Sequence, residues 1–146
     1  MKQINVPNSV TNIGEYAFYQ CQNLTSIDIP DNITSIEDYT FAGCAVLSKV
    51  EIPNKVTSIG DYAFSECLKL TELNIPVGVT YIGENAFRQC TKFANISLPY
   101  GVSYIGSYAF NNTGYYNNSA NWTGDVLYIG NHLVATQTTL SGHYDI

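Results

Sequence analysis

Short runs in which apolar and polar residues alternate return along this chain every 23 residues. Ile4 and Val6, Ile27 and Ile29, Val50 and Ile52, Leu73 and Ile75, and Ile96 and Leu98 each stand two apart between polar neighbours. That spacing belongs to a strand with one buried face. Pro7, Pro30, Pro53, Pro76 and Pro99 close the runs, where a fixed φ and a missing N–H end a hydrogen-bonded ladder and favour a turn. A period of this length predicts a solenoid, whose units bury their apolar faces only against neighbouring units. Side by side, the five runs predict a parallel sheet.

After each turn comes V-T-x-I-G, at residues 10–14, 56–60, 79–83 and, with Ser103 for Thr, 102–106. Its two aliphatic residues, three apart, can both face inward from a short bent segment. Residues 33–37 read I-T-S-I-E, so the Gly position tolerates a side chain and does not strictly require positive φ. Next, an acidic residue followed by Tyr, Ala, Phe, two variable residues and Cys predicts a short helical turn. Glu15, Asp38, Asp61 and Glu84 stand at its start, where a carboxylate meets unsatisfied N–H groups. Phe and Cys, three apart, fill the interior. Cys21, Cys44, Cys67 and Cys90 are one repeat position occupied four times. They lack the close pairs of a zinc site, and stacked equivalent side chains point the same way, which is poor disulfide geometry. Buried free thiols acting as small apolar fillers are expected.

L-x-x-I-x-I-P at residues 24–30, repeated from Leu47, Leu70 and Phe93, resembles the leucine-rich repeat core. The 23-residue unit I-P-x-x-V-T-x-I-G-x-x-A-F-x-x-C resembles the BspA-like class of leucine-rich repeats over roughly residues 2–110. The Asn of the standard repeat core stands only at Asn32; Ser9, Lys55, Gly78 and Gly101 replace it elsewhere. The resemblance implies an α/β repeat solenoid, a right-handed leucine-rich-repeat superhelix of about five rungs. Parallel strands would form one face and short helices or turns the other. The repeats fall at 7–29, 30–52, 53–75, 76–98 and, in part, 99–110.

Periodicity stops after Phe110. Residues 111–124 are polar, Asn-rich and aromatic and read as a loop. Two apolar strands around Gly130-Asn131 then predict a β-hairpin, so 111–146 reads as an end cap of the same domain. The chain stops at Ile146, on what reads as an inward strand position, as a piece of a longer protein would. The first repeat has no comparable cap, so Ile4 and Val6 are expected to leave apolar surface for self-association.

Composition narrows the function. Six Lys and Arg stand against twelve Asp and Glu, for a net charge of −6, and the basic residues are scattered, so no nucleic-acid footprint exists. No apolar run is long enough for membrane insertion, and no signal peptide precedes the first repeat. His132 and His143 have no nucleophile or carboxylate partner at a recognisable spacing, and no phosphate-binding or hydrolase motif occurs. The chain reads as non-catalytic, without cofactor or metal.

Candidate binding residues are therefore surface residues. On the strand face they are Thr25, Ser26, Asp28, Ser48, Lys49, Glu51, Thr71, Glu72, Asn74 and Asn95. Asp28 and Glu51 share an outward position on adjacent rungs. Tyr16, Tyr39, Tyr62 and Tyr108 share a repeat position, with Asn85 as the gap. Tyr100, Tyr104, Tyr115, Tyr116 and Trp122 surround the junction with the loop. By its resemblance the chain is expected to be a cell-surface or secreted adhesion module binding host or microbial protein ligands. Two rivals are a carbohydrate-binding module stacking sugars on Tyr and a structural spacer in a larger surface protein.

Overall fold

A computed structural model of the chain describes residues 2–137. His143 and the inward position expected at Ile146 lie outside them. In chain order the elements are β1 (Lys2–Asn5), β2 (Leu24–Asp28), β3 (Ser35–Ile36), β4 (Lys49–Glu51), β5 (Ser58–Ile59), β6 (Glu72–Asn74), β7 (Tyr81–Ile82), β8 (Tyr104–Ile105), a 3₁₀ turn (Ser119–Asn121), β9 (Trp122–Thr123), β10 (Val126–Ile129) and β11 (His132–Thr136).

The alternating runs form the first parallel sheet, β1-β2-β4-β6, with Ile4, Ile27, Val50 and Leu73 in one inward file. Each Pro carbonyl then accepts the N–H three residues on, as in Ile33 N to Pro30 O at 3.1 Å and Val56 N to Pro53 O at 3.0 Å. The fifth run, with Ile96 and Leu98, adds no strand to this sheet. There the carbonyls of Cys90 and Phe93 accept from Gly114 N (3.3 Å) and Tyr115 N (3.1 Å) of the following loop, which packs over this stretch in place of another rung.

V-T-x-I-G forms a second parallel sheet, β3-β5-β7-β8. Its Thr hydroxyls run along the stack: Thr57, Thr80 and Ser103 each donate to the carbonyl at the same position one rung earlier, at 3.4, 3.4 and 3.1 Å. Gly60, Gly83 and Gly106 are required by close approach. A Cβ at Gly83 would lie 2.4 Å from Asp61 Oδ1, and one at Gly106 2.4 Å from Glu84 N. Glu37 puts a side chain at this place, and the second sheet stops there: no strand pairs with β3 from the first rung.

The third side carries consecutive turns rather than the expected helical turn. Ala17, Tyr19 and Cys21 close i→i+3 turns, while Tyr16, Phe18 and Gln20 donate to Asp38, Thr40 and Ala42 of the next rung at 3.1, 2.9 and 2.7 Å. Left-handed residues enforce this alternation, at Tyr16, Tyr39, Tyr62, Asn85 and Tyr108 and again at Gln20, Gly43, Glu66, Gln89 and Asn112. A seven-residue helix would carry a costly nucleus for few bonds; turns instead give every second amide to a neighbour. The acidic residues consequently cap no helix. Asp38 Oδ1 accepts from Asp61 N at 2.7 Å and Asp61 Oδ1 from Glu84 N at 2.8 Å, each one rung further on.

Between the three sides lie stacked files of identical side chains. Phe18, Phe41, Phe64, Phe87 and Phe110 stack with centroids 5.2–5.4 Å apart. Leu24, Leu47, Leu70 and Phe93 form a second buried file. In the first rung Ile4, Val6, Val10, Phe18 and Cys21 are only partly covered. At the other end β9, β10 and β11 form an antiparallel sheet, with Leu127 and Ile129 buried.

Candidate binding surfaces

On the strand face, parallel register converts sequence positions into files. Ser26, Lys49 and Glu72 form one file, and Asp28, Glu51 and Asn74 the next. Gln3 Nε2 donates to Asp28 Oδ2 at 3.2 Å, and Lys49 pairs with Glu51 at 3.0 Å. These partners separate the two carboxylates chemically, and Glu51 holds the exposed Lys49 ammonium above its ordinary range. Thr25, Ser48 and Thr71 stack as well: Ser48 N donates to Thr25 O at 3.3 Å and Thr71 N to Ser48 O at 3.1 Å. A shallow groove of about 510 Å³ runs along this face, with Asp28, Asp31, Glu51 and Glu72 on its walls. Asn95 lies beyond β6, outside the paired strands. At the turn edge, Asn32 accepts from Lys55 at 3.2 Å and donates to Asn8 O at 3.3 Å, tying three rungs.

The tyrosines divide into two stacks flanking the file of Asp38, Asp61 and Glu84. Tyr16, Tyr39 and Tyr62 lie face to face at 4.7 Å. Tyr81 and Tyr104 do the same at 4.8 Å. Partial burial raises the Tyr39 phenol, helped by Tyr62, Tyr16, Asp61 and Asp38. Burial also raises Tyr81, with Asp61, Tyr104, Asp38 and Glu84 adding to it. Tyr81 was not singled out in the sequence; its only signal was the variable place of V-T-x-I-G. Stacked rings turn their edges and hydroxyls to solvent and their faces to one another. Tyr108 stands apart, 65% exposed.

Around the loop, the aromatic residues fasten residues 111–124 to the antiparallel sheet and to one another. Tyr115 Oη donates to Tyr128 O at 2.9 Å and Trp122 Nε1 to Tyr116 O at 2.7 Å, with Tyr116 and Trp122 edge to face at 5.1 Å. Tyr104, Tyr108 and Tyr116 line a groove of about 530 Å³ between β8 and β11, where His132 also lies. Tyr100 is 91% exposed at a turn. Among the described residues no group of three or more His, Cys, Asp or Glu converges as a metal ion would need, and no helix is long and apolar enough to cross a membrane.

Two parallel sheets and a ladder of turns around stacked aliphatic and Phe files define a leucine-rich-repeat solenoid. The chain belongs to the BspA type leucine rich repeat family, whose model matches residues 11–141 in six copies, through the loop and hairpin as well as the regular rungs. Repeats of this family generally serve as protein-interaction modules. Among solved structures, the chain is similar to a leucine-rich repeat protein of T. pallidum (28% identity over 75% of this chain and 53% of that one, TM-score 0.71). It is also similar to one from Bacteroides ovatus (33% identity, 74% and 30%, TM-score 0.69). A leucine rich cell surface protein of Faecalibacterium prausnitzii matches at 28% identity over 94% of this chain and 43% of that one, with TM-score 0.61. The chain thus spans roughly a third to a half of the length of these neighbours. A search of curated proteins finds no match.

Proposed function

We propose that this chain is a non-catalytic interaction module of a cell-surface or secreted protein, binding host or microbial protein ligands through its strand face. The observation that carries this reading is the division of labour on the first sheet. Its backbone and inward files hold the rungs together, while Ser26, Lys49, Glu72, Asp28, Glu51 and Asn74 point outward in two polar files. Such side chains can change without cost to the stack. The surface protein among the structural neighbours supports the location. Sugar stacking needs ring faces, and the tyrosine stacks cover most of theirs, which favours protein over carbohydrate.

The test is a binding screen of the purified chain against extracellular-matrix protein and glycan arrays, with calcium and with chelator. A protein hit that weakens about tenfold in Glu51→Lys with Glu72→Lys is expected. Glycan hits alone, or silence on both arrays, would sink the reading.

A further inference from the structure

β8 is the last strand of the second sheet, and among the described residues no strand pairs with its outer edge. An unpaired edge is a template for a further strand. The earlier rungs show which groups such a strand would meet. Thr80 N and Gly83 N donate to Thr57 O and Ile59 O at 2.9 and 2.8 Å, and Ser103 N and Gly106 N repeat this to Thr80 O and Ile82 O at the same distances. The acceptors of the next step, Ser103 O and Ile105 O, receive no hydrogen bond among the described residues. The turn side adds a donor: Tyr39, Tyr62 and Asn85 give their N–H groups to Asp61 O, Glu84 O and Ser107 O at 2.9, 2.8 and 3.0 Å, whereas Tyr108 N has no acceptor among the described residues. These two carbonyls and one N–H stand in the register of another rung, and their residues line the groove between β8 and β11.

The side chains agree with the backbone. Ile59 and Ile82 are fully buried, while Ile105, next in the same file, is only partly covered. Tyr104 stacks on Tyr81 at 4.8 Å and is still 48% exposed. The groove of about 530 Å³ falls within the roughly 300–1,000 Å³ of clefts that hold ligands. Its far wall, β11, is likewise the edge strand of its sheet.

We propose that this groove is a strand-addition site, in which an extended segment of a protein partner lies parallel to β8, donates two amides to Ser103 O and Ile105 O, and accepts from Tyr108 N. The occupant continues the interface that β3, β5 and β7 each present to the next strand. In such sites main-chain bonds supply affinity and side chains supply specificity. The side chains that fit are those the chain itself places at this step. A Ser or Thr hydroxyl meets Ser103 O, as Ser103 Oγ meets Thr80 O at 3.1 Å. An aromatic residue then covers the ring of Tyr104, an aliphatic one covers Ile105, and Gly follows where Gly106 in its own rung leaves no room for a Cβ. This surface is separate from the strand face and does not depend on it.

The experiment is NMR titration of the whole chain with the peptide N-acetyl-Val-Thr-Tyr-Ile-Gly-Asp-amide. Saturable shifts of the backbone amides from Tyr104 to Tyr108 are expected, with slowed exchange at the Tyr108 amide. The same peptide N-methylated at its Thr and Gly amides should bind about tenfold more weakly or worse, because both donors are lost. Tyr104→Ala, at an exposed residue, should weaken the unmethylated peptide several-fold with the fold retained. Glu51→Lys with Glu72→Lys, on the strand face, should leave the titration unchanged, so the two readings fail separately.

Unmoved amides from Tyr104 to Tyr108 would overturn the proposal, as would equal binding of the methylated peptide. Shifts of the same amides that depend on protein concentration without peptide would assign the groove to a second copy and overturn it. Overhauser contacts from residues 138–146 to Ile105 that saturating peptide leaves in place would assign it to the chain itself, with the same result.

Discussion

The thiols of Cys44, Cys67 and Cys90 donate to Phe18 O, Phe41 O and Phe64 O at 3.1, 3.3 and 3.1 Å. Each carbonyl already accepts the amide three residues on, from Cys21, Cys44 and Cys67 at 3.1, 3.1 and 3.2 Å, so the thiol fills its second lone pair from the next rung, a role beyond the apolar filling expected of it. Burial pushes Cys90 up to about 12 and Cys67 well above its ordinary value; burial and then Cys21 push Cys44 to about 12. A disulfide-exchange reagent at pH 8 should therefore label one thiol, Cys21, in the native chain and four in denaturant. Below the free thiol range, near pH 8.5, the thiols of Cys44, Cys67 and Cys90 are protonated folded or unfolded, and stability does not depend on their ionisation. Above it these three ionise in the unfolded chain and stay protonated in the native one. Stability should then fall as pH rises towards 12, by about 1.4 kcal/mol per pH unit for each of Cys67 and Cys90, and urea melts at pH 8, 9 and 10 measure it. Replacing Cys67 and Cys90 with Ser should weaken that dependence, leaving the part that Cys44 supplies.

At the scale of the element, the second sheet and the carboxylate file depend on each other. Gly83 lets its rung close onto Asp61, whose carboxylate then takes the amide of Glu84 at 2.8 Å. Gly83→Ala should cost about 1–3 kcal/mol, as overpacking does, whereas Gly14→Ala, with nothing within 4 Å of its Cβ, should be close to neutral. The converse change, Glu37→Gly, should let residues 12 and 13 join the second sheet. Amide exchange at residues 34, 37 and 38 should then slow by tenfold or more, and unchanged exchange would refute the crowding account.

Alternating residues and closing prolines made the first sheet legible from sequence. The second sheet was not, because two-residue strands such as Ser58–Ile59 have no period to read. The acid-Tyr-Ala-Phe run imitates a capped helix, since Phe and Cys at i and i+3 suit successive turns equally well. Its carboxylate partner stands 23 residues away, beyond any local pattern. The repeat positions of the tyrosines were legible, but that their rings stack and hide their faces follows only from the rung spacing.

Across the whole molecule, each rung is held by the rungs beside it. Phe64 is fully buried and meets Phe41 and Phe87 at 5.2 and 5.4 Å. Phe64→Ala should cost about 3–5 kcal/mol, clearly more than Phe18→Ala in the partly covered first rung. Because coupling passes only between neighbours, the central change should also broaden the urea transition or split it in two. A single sharp transition shifted by less than 1 kcal/mol would contradict nearest-neighbour coupling through the Phe file.

The backbone ladders of the turn side and of the second sheet point in opposite senses. On the turn side N–H groups face the next rung, as in Phe64 N to Ala86 O at 2.8 Å; in the second sheet they face the previous one, as in Gly83 N to Ile59 O at 2.8 Å. Peptide dipoles that add in an α-helix are here opposed. On these two sides the contributions of successive rungs offset one another where those of a helix would add. Lengthening the stack therefore adds side-chain charge to the flanks faster than it adds backbone dipole.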